Sequence, residues 1–203
     1  ICVAGFPRPT LDPMSSFMRA KPILLSACAA LALGLSFLSA PALAASEMEE
    51  LAATLHPGDF SPRVEQLLTN GHPAQALELA DIGIKRNPRN AQLQFLRTVS
   101  LESLGRTEDA AKGLKSLIAA YPEIPEPYNN LAVIEAGFGN LEEAQGLLKK
   151  ALVINPKFSL AQKNLGDVYL ALALECYEAA APALESNTEL QSRLRTLKRI
   201  SGR

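Results

Sequence analysis

The sequence predicts an all-α chain, a solenoid of about three and a half helix–turn–helix repeats with a C-terminal capping helix. Three observations carry this. Pro88, Pro122 and Pro156 stand 34 residues apart, and each ends an apolar helical pattern. When each unit is counted so that its proline is position 32, position 15 is Gly71, Gly105 and Gly139. Glycine accepts the positive φ that a turn between two helices demands. Position 20 is Ala76, Ala110 and Ala144, small enough to let paired helices approach closely. No stretch alternates β-branched and polar residues, so no strand is expected.

The chain opens with Ile1, and residues 1–13 read as translated upstream sequence or a fragment edge. From Met14 or Met18 a secretory signal is expected. Arg19 and Lys21 precede an apolar run over 23–38, and SAPALAAS follows with Ala42 and Ala44 at the small-residue positions of a cleavage site. Cleavage after Ala44 would leave a mature chain beginning at Ala45, periplasmic or secreted. Two alternatives place it at a membrane. One is a retained signal, although the run is short for a span. The other is an outer-membrane lipoprotein, because Leu25-Ser26-Ala27-Cys28 matches an acylation pattern.

Ser46 with Glu49 forms a capping box and predicts a short helix over 47–55, within an N-terminal segment 45–56. His56-Pro57-Gly58 breaks it. The solenoid follows over 57–187, with units 57–90, 91–124 and 125–158 and a shortened fourth unit 159–187. Helix pairs are expected at 61–70 with 73–86, 91–104 with 107–120, and 126–138 with 141–154. Pro73 suits a first helical position, where its missing N–H costs nothing. Asn140 is placed to cap the helix after it, with Glu143 as box partner. Short loops make each pair antiparallel.

The fourth unit breaks the period: Glu178 and Leu190 stand where a small residue and proline are due, and neither Gly nor Pro lies between Asp167 and Ala181. One continuous helix from Phe158 to Ala181 is therefore expected, disturbed near Pro182. Its run YLALALECY is apolar on nearly every side, which predicts burial against the tail helix or at an interface. Residues 188–203 read as a basic capping helix with Leu190, Leu194 and Leu197 on one stripe.

Composition narrows the function. Residues 45–187 hold 12 Lys/Arg and 19 Asp/Glu, and residues 188–203 hold five Lys/Arg and one Glu. An acidic body with a basic tail argues against nucleic acid as a partner. His56 and His72 are the only histidines and Cys176 is remote from both, so no catalytic set can be assembled and no enzyme is expected. No metal-ligand spacing or phosphate loop occurs, and no cofactor is expected. Cys176 is the one cysteine beyond the signal, and its apolar neighbours predict burial.

The third unit is the most regular: PYNNLAVIEAGFGNLEEAQGLLKKALVINP, with Leu148 at position 24 as Leu114 is in the second. These residues resemble the tetratricopeptide repeat family over roughly 57–185. The first two units depart from its pattern at position 7, where Arg63 and Arg97 replace an apolar residue. PEIPEPYNNLAV and KNLGDVYLALA also resemble exported bacterial repeat proteins. The resemblance implies a right-handed solenoid whose first helices line a concave groove through positions 2, 5, 6, 9 and 12. Phe95, Leu96, Val99, Asn129, Asn130, Val133, Lys163, Asn164 and Asp167 are then the candidate groove residues, with Gln92, Glu102, Glu126 and Ala136 beside them. Asn amides donate and accept at once, which suits a peptide backbone, and Lys163 suits a carboxylate. Family members that grip C-terminal carboxylates add several basic residues that are absent here. The expectation is an exported, non-catalytic module that binds a protein or extended peptide in the bacterial cell envelope. The alternative is a dimeric or lipid-tethered assembly adaptor acting through residues 169–184.

Overall fold

The computed structural model describes residues 46–202. The expected signal peptide, its cleavage after Ala44 and the acylation of Cys28 lie outside these residues. Nine α-helices run in order among them: α1 Glu47–Thr54, α2 Phe60–Thr69, α3 Pro73–Arg86, α4 Ala91–Ser103, α5 Thr107–Ala120, α6 Pro125–Gly137, α7 Leu141–Ile154, α8 Ser159–Ala180 and α9 Thr188–Ser201. Successive helices from α2 to α9 pack on one another, and α1 packs on α3. The first helices of neighbouring units also meet, α2 on α4 and α6 on α8.

The turn within each pair is built identically. Gly71, Gly105 and Gly139 adopt φ of 78°, 73° and 87°. That left-handed residue swings the chain back over the helix end. The next N–H, of His72, Arg106 or Asn140, then bonds the carbonyl of Leu67, Leu101 or Glu135 at 2.9 Å. Only glycine takes this conformation without a Cβ penalty.

The junction between units repeats as closely. A residue before proline is pushed out of the helical region, and Asn87, Tyr121 and Asn155 sit at φ of −136°, −138° and −130°. Proline has no N–H, but its carbonyl still needs a donor. A side chain six residues on supplies one in every unit. Gln94 Nε2 donates to the Pro88 carbonyl at 2.6 Å, Tyr128 Oη to that of Pro122 at 3.2 Å, and Gln162 Nε2 to that of Pro156 at 2.9 Å. The side chain lies one turn into the next first helix, so the bond sets where that helix starts relative to the last.

Ala76, Ala110 and Ala144 are completely buried, as the period predicts. Around them lie apolar clusters: Phe60, Val64, Leu79 and Leu93 with Met48 and Ala52 of α1 at one end, Leu101, Leu114, Leu131 and Ile134 in the middle, and Tyr128, Leu148, Phe158 and Val168 beyond. The capping box on α1 is present, since Glu49 N–H donates to Ser46 Oγ and Ser46 N–H to Glu49 Oε2. Arg86 ties α1 to the array by donating to the Ala52 carbonyl at 2.7 Å while lying over the Phe60 ring. Arg97, the departure at position 7, reaches Asp81 on α3 at 2.6 Å.

α8 is continuous over 22 residues, as the missing turn predicts, and ends in a 3₁₀ turn at Ala181–Ala183 that contains Pro182. α9 folds back on it through buried Leu190 and the Lys198–Glu178 ion pair. The covering is one-sided, which corrects two expectations. Leu174 is fully buried, yet Tyr169 is 46 % exposed, so the apolar run is not enclosed. Cys176 is exposed rather than buried. At about 100° per residue it lies roughly 200° around the helix from Leu174. No helix among the described residues is long and apolar enough to cross a membrane.

Leu114→Ala is expected to cost about 2–5 kcal/mol, because Leu114 is 1 % exposed and fills the middle cluster. Gly105→Ala is expected to cost about 1–2 kcal/mol through its positive φ alone. Tyr128→Phe, which strips one junction donor, is expected to cost about 1 kcal/mol. Urea unfolding midpoints at constant slope would rank the three, and a neutral Gly105→Ala would contradict the turn argument.

Candidate functional site

The candidate residues fall on the first helices α4, α6 and α8, and the structure sorts them into three groups. Leu96 and Val99 are 3 % and 6 % exposed. They serve the core and offer a ligand almost nothing. Phe95 is half-buried against the middle cluster. Val133 is 45 % exposed and is the main apolar surface in the set.

The asparagines form a directed ladder. Asn164 Nδ2 on α8 donates to Asn129 Oδ1 on α6 at 2.9 Å, and Asn129 Nδ2 donates to Asn130 Oδ1 at 3.1 Å. Asn129 is 2 % exposed and spends both groups inside the ladder, so its role is to join units three and four. The free ends are Asn130 Nδ2, a donor, and Asn164 Oδ1, an acceptor, both on half-buried side chains. A donor and an acceptor held by a shared rigid partner match the carbonyl and N–H of an extended peptide.

Lys163 does not stand open for a carboxylate. Its Nζ lies 2.6 Å from Asp167 Oδ2 on the same helix, and both side chains are well exposed. An exposed pair of this spacing contributes little to stability, but it neutralises Lys163 where a ligand would meet it.

Two carboxylates not singled out from the sequence complete the picture. Glu65 of α2 accepts from Gln92 Nε2 of α4 at 2.9 Å, bridging units one and two as the asparagines bridge three and four. Glu65 shares position 9 with Val133 and Asp167, so the register already contained that signal. Glu135 is 3 % exposed at position 11, where the earlier units have Leu67 and Leu101. An acid in the slot of a core leucine was the available clue. Burying it requires partners. Lys115 Nζ of α5 sits 2.9 Å from Oε1, and Asn140 Nδ2 donates to Oε2 at 2.7 Å. The Asn140 and Lys115 bonds hold the carboxyl below its usual range. This also corrects the expected cap: Asn140 makes no side-chain capping bond to α7, and its side chain is directed instead at the buried carboxylate through Nδ2. Glu102, half-buried at position 12 of α4, is the opposite case, with burial pushing its carboxyl up. No cluster of metal-ligating side chains occurs among the described residues.

Fold and site together define a class, a stack of antiparallel helix pairs in which the first helix of one unit packs on that of the next at α2 with α4 and at α6 with α8. A family model described as the tetratricopeptide repeat matches residues 63–125 and 100–159. Residues 63–159 of this chain are tetratricopeptide repeats. Solved structures agree in fold. TTC0263, a thermophilic repeat protein of Thermus thermophilus, is 26 % identical over 73 % of this chain and 84 % of that one, with a TM-score of 0.54. The first repeat domain of human RPAP3 is 19 % identical over 58 % of this chain and 92 % of its own, with a TM-score of 0.55. The first repeat domain of Spaghetti (RPAP3), bound to the HSP90 peptide SRMEEVD, is 19 % identical over 58 % and 93 %, at a TM-score of 0.54. Among curated proteins none matches.

The Glu135 network sets a pH dependence with a definite sign. Its folded pKa lies below the ordinary 4.5, so it stabilises the fold above that value and the contribution is lost as pH falls through the folded pKa. Glu135→Gln is expected to flatten the fall in stability between about pH 5 and pH 3 relative to the parent. Thermal melts across that range check it, and parallel curves would sink the assignment.

Proposed function

We propose that this chain is a non-catalytic adaptor that binds an extended peptide segment of a partner protein across its first helices. One observation carries the reading: the Asn164–Asn129–Asn130 ladder ends in an unspent donor and an unspent acceptor on the first-helix face. A peptide carbonyl would accept from Asn130 Nδ2 and a peptide N–H would donate to Asn164 Oδ1, with apolar contact at Val133 and Phe95. Recognition is then non-covalent, on a surface formed before binding. Repeat domains of this family commonly mediate protein interactions, and Spaghetti (RPAP3) holds a peptide of HSP90. The signal-like residues 14–44 support placing this activity in the bacterial envelope, with the mature chain starting at Ala45. Intact mass of the envelope form tests that, and a lipid adduct on Cys28 would overturn soluble export.

Asn130→Ala with Asn164→Ala is expected to weaken capture of cross-linked partners about thirtyfold, for two hydrogen bonds of about 1 kcal/mol each. Melting curves of both proteins separate lost binding from lost fold. Equal capture by a folded variant would move the site away from this face.

One observation favours a second reading, a homodimer through residues 169–184. Tyr169 and Leu184 are 46 % and 45 % exposed, and Cys176 is exposed between them. Light scattering after size exclusion decides it, and a monomer mass at every concentration removes the dimer.

A further inference from the structure

The charge of the first-helix face says what kind of peptide it takes, an inference that rests on the peptide-binding reading above. Positions 2, 9 and 12 of successive units carry Glu65, Glu102, Glu126 and Asp167. The single cation among the groove positions is Lys163, and Asp167 holds it at 2.6 Å. Glu65 meets only the neutral amide of Gln92. Glu102 is half-buried, and its perturbation comes from burial with no neighbouring cation to offset it. Glu126 lies half-buried in the first turn of α6, where the helix dipole favours a negative charge. The face therefore keeps unneutralised carboxylates beside the two open amide groups. The surrounding body is acidic as well, since its carboxylates outnumber its cations 19 to 12 over residues 45–187.

We propose that the occupant is an extended segment bearing Lys or Arg side chains, whose backbone engages Asn130 and Asn164 while its cations meet Glu102 and Glu126. An ammonium or guanidinium would supply the opposite charge that the half-buried Glu102 lacks. An acidic segment would set like charges together with only Lys163 to oppose them, and Lys163 would first have to leave Asp167. Charge complementarity of this kind selects partners and speeds their encounter.

The test uses the full chain and two pools of capped peptides, equal in length and apolar content, one carrying Lys and Arg and the other Asp and Glu. Fluorescence anisotropy is expected to show the cationic pool binding at least about tenfold tighter. Glu102→Gln with Glu126→Gln should remove most of that preference. Glu108→Gln with Glu142→Gln, which makes the same change in net charge on the second helices α5 and α7, should alter binding by less than about twofold. The proposal is overturned if the pools bind equally, if the acidic pool binds tighter, or if the α5 and α7 pair weakens binding as much as the face pair. Asn130→Ala with Asn164→Ala separates the two levels. Binding that responds to the asparagines without a charge preference sinks only the charge rule. Binding of neither pool, or binding that ignores the asparagines, sinks the peptide-binding reading with it.

Discussion

The junction at each repeat-ending proline is the constraint on which the rest of this structure depends. Proline stops the second helix by ejecting the preceding residue from helical geometry. Left alone, the stop would produce a loose corner. It becomes a fixed one because Gln94, Tyr128 and Gln162 each return a donor to the proline carbonyl from one turn into the next helix. Two chemically different side chains perform the same bond, which shows that the geometry of the junction, not the identity of the donor, is what the period encodes. With the junction and the glycine turn both fixed, each helix pair has one way to lie on its predecessor. The first helices are thereby set side by side, and everything on their shared face follows from that.

Where the same constraint is withdrawn, the array ends. Between Asp167 and Ala181 no glycine turns the chain, so α8 reaches 22 residues and runs past the point where its partner would start. A helix of that length has no second helix of its own to cover it. α9 supplies the cover through Leu190 and two polar ties, Lys198 to Glu178 and Arg193 to the Tyr177 hydroxyl. Its basic residues near the C-terminus also suit the dipole of a helix end. The cover reaches one side only, and that is why Cys176 is exposed although apolar residues flank it in sequence. Neighbours in sequence on a helix do not share a face, and an apolar run says that some face is buried without saying which.

That distinction marks how far the sequence alone could be read. The helices, the turns and the long α8 were readable because each depends on local backbone chemistry: the φ of glycine, the missing N–H of proline, a capping serine. The packing alanines were readable because the period repeats them. The site was readable only as a set of register positions. Register placed Leu96 and Asn129 beside the groove, but whether a side chain turns to the core or to solvent depends on the neighbouring unit, and both are buried. Lys163 was readable as a cation, while its pairing with Asp167 rested on a rotamer that the sequence does not express.

The most instructive departure is Glu135. At the equivalent position Leu67 and Leu101 close the core, so a carboxylate there sacrifices apolar burial and must be desolvated. Its surroundings make this tolerable. Lys115 reaches in from the preceding unit, Asn140 donates through Nδ2, and the Glu135 carbonyl still accepts the turn N–H as Leu67 and Leu101 do. Apolar packing would tolerate small slips between α5 and α6, whereas a buried charge with two directed bonds tolerates few. Unit three is also the unit whose first helix carries Asn129, Asn130 and Glu126. The polar network behind that helix and the polar ladder in front of it hold the same segment from opposite sides. The face proposed to meet a peptide is thus mounted on a helix tied by directional bonds to both of its neighbouring units. A binding surface formed before its ligand arrives requires that rigidity, because any ordering left until association would subtract from affinity.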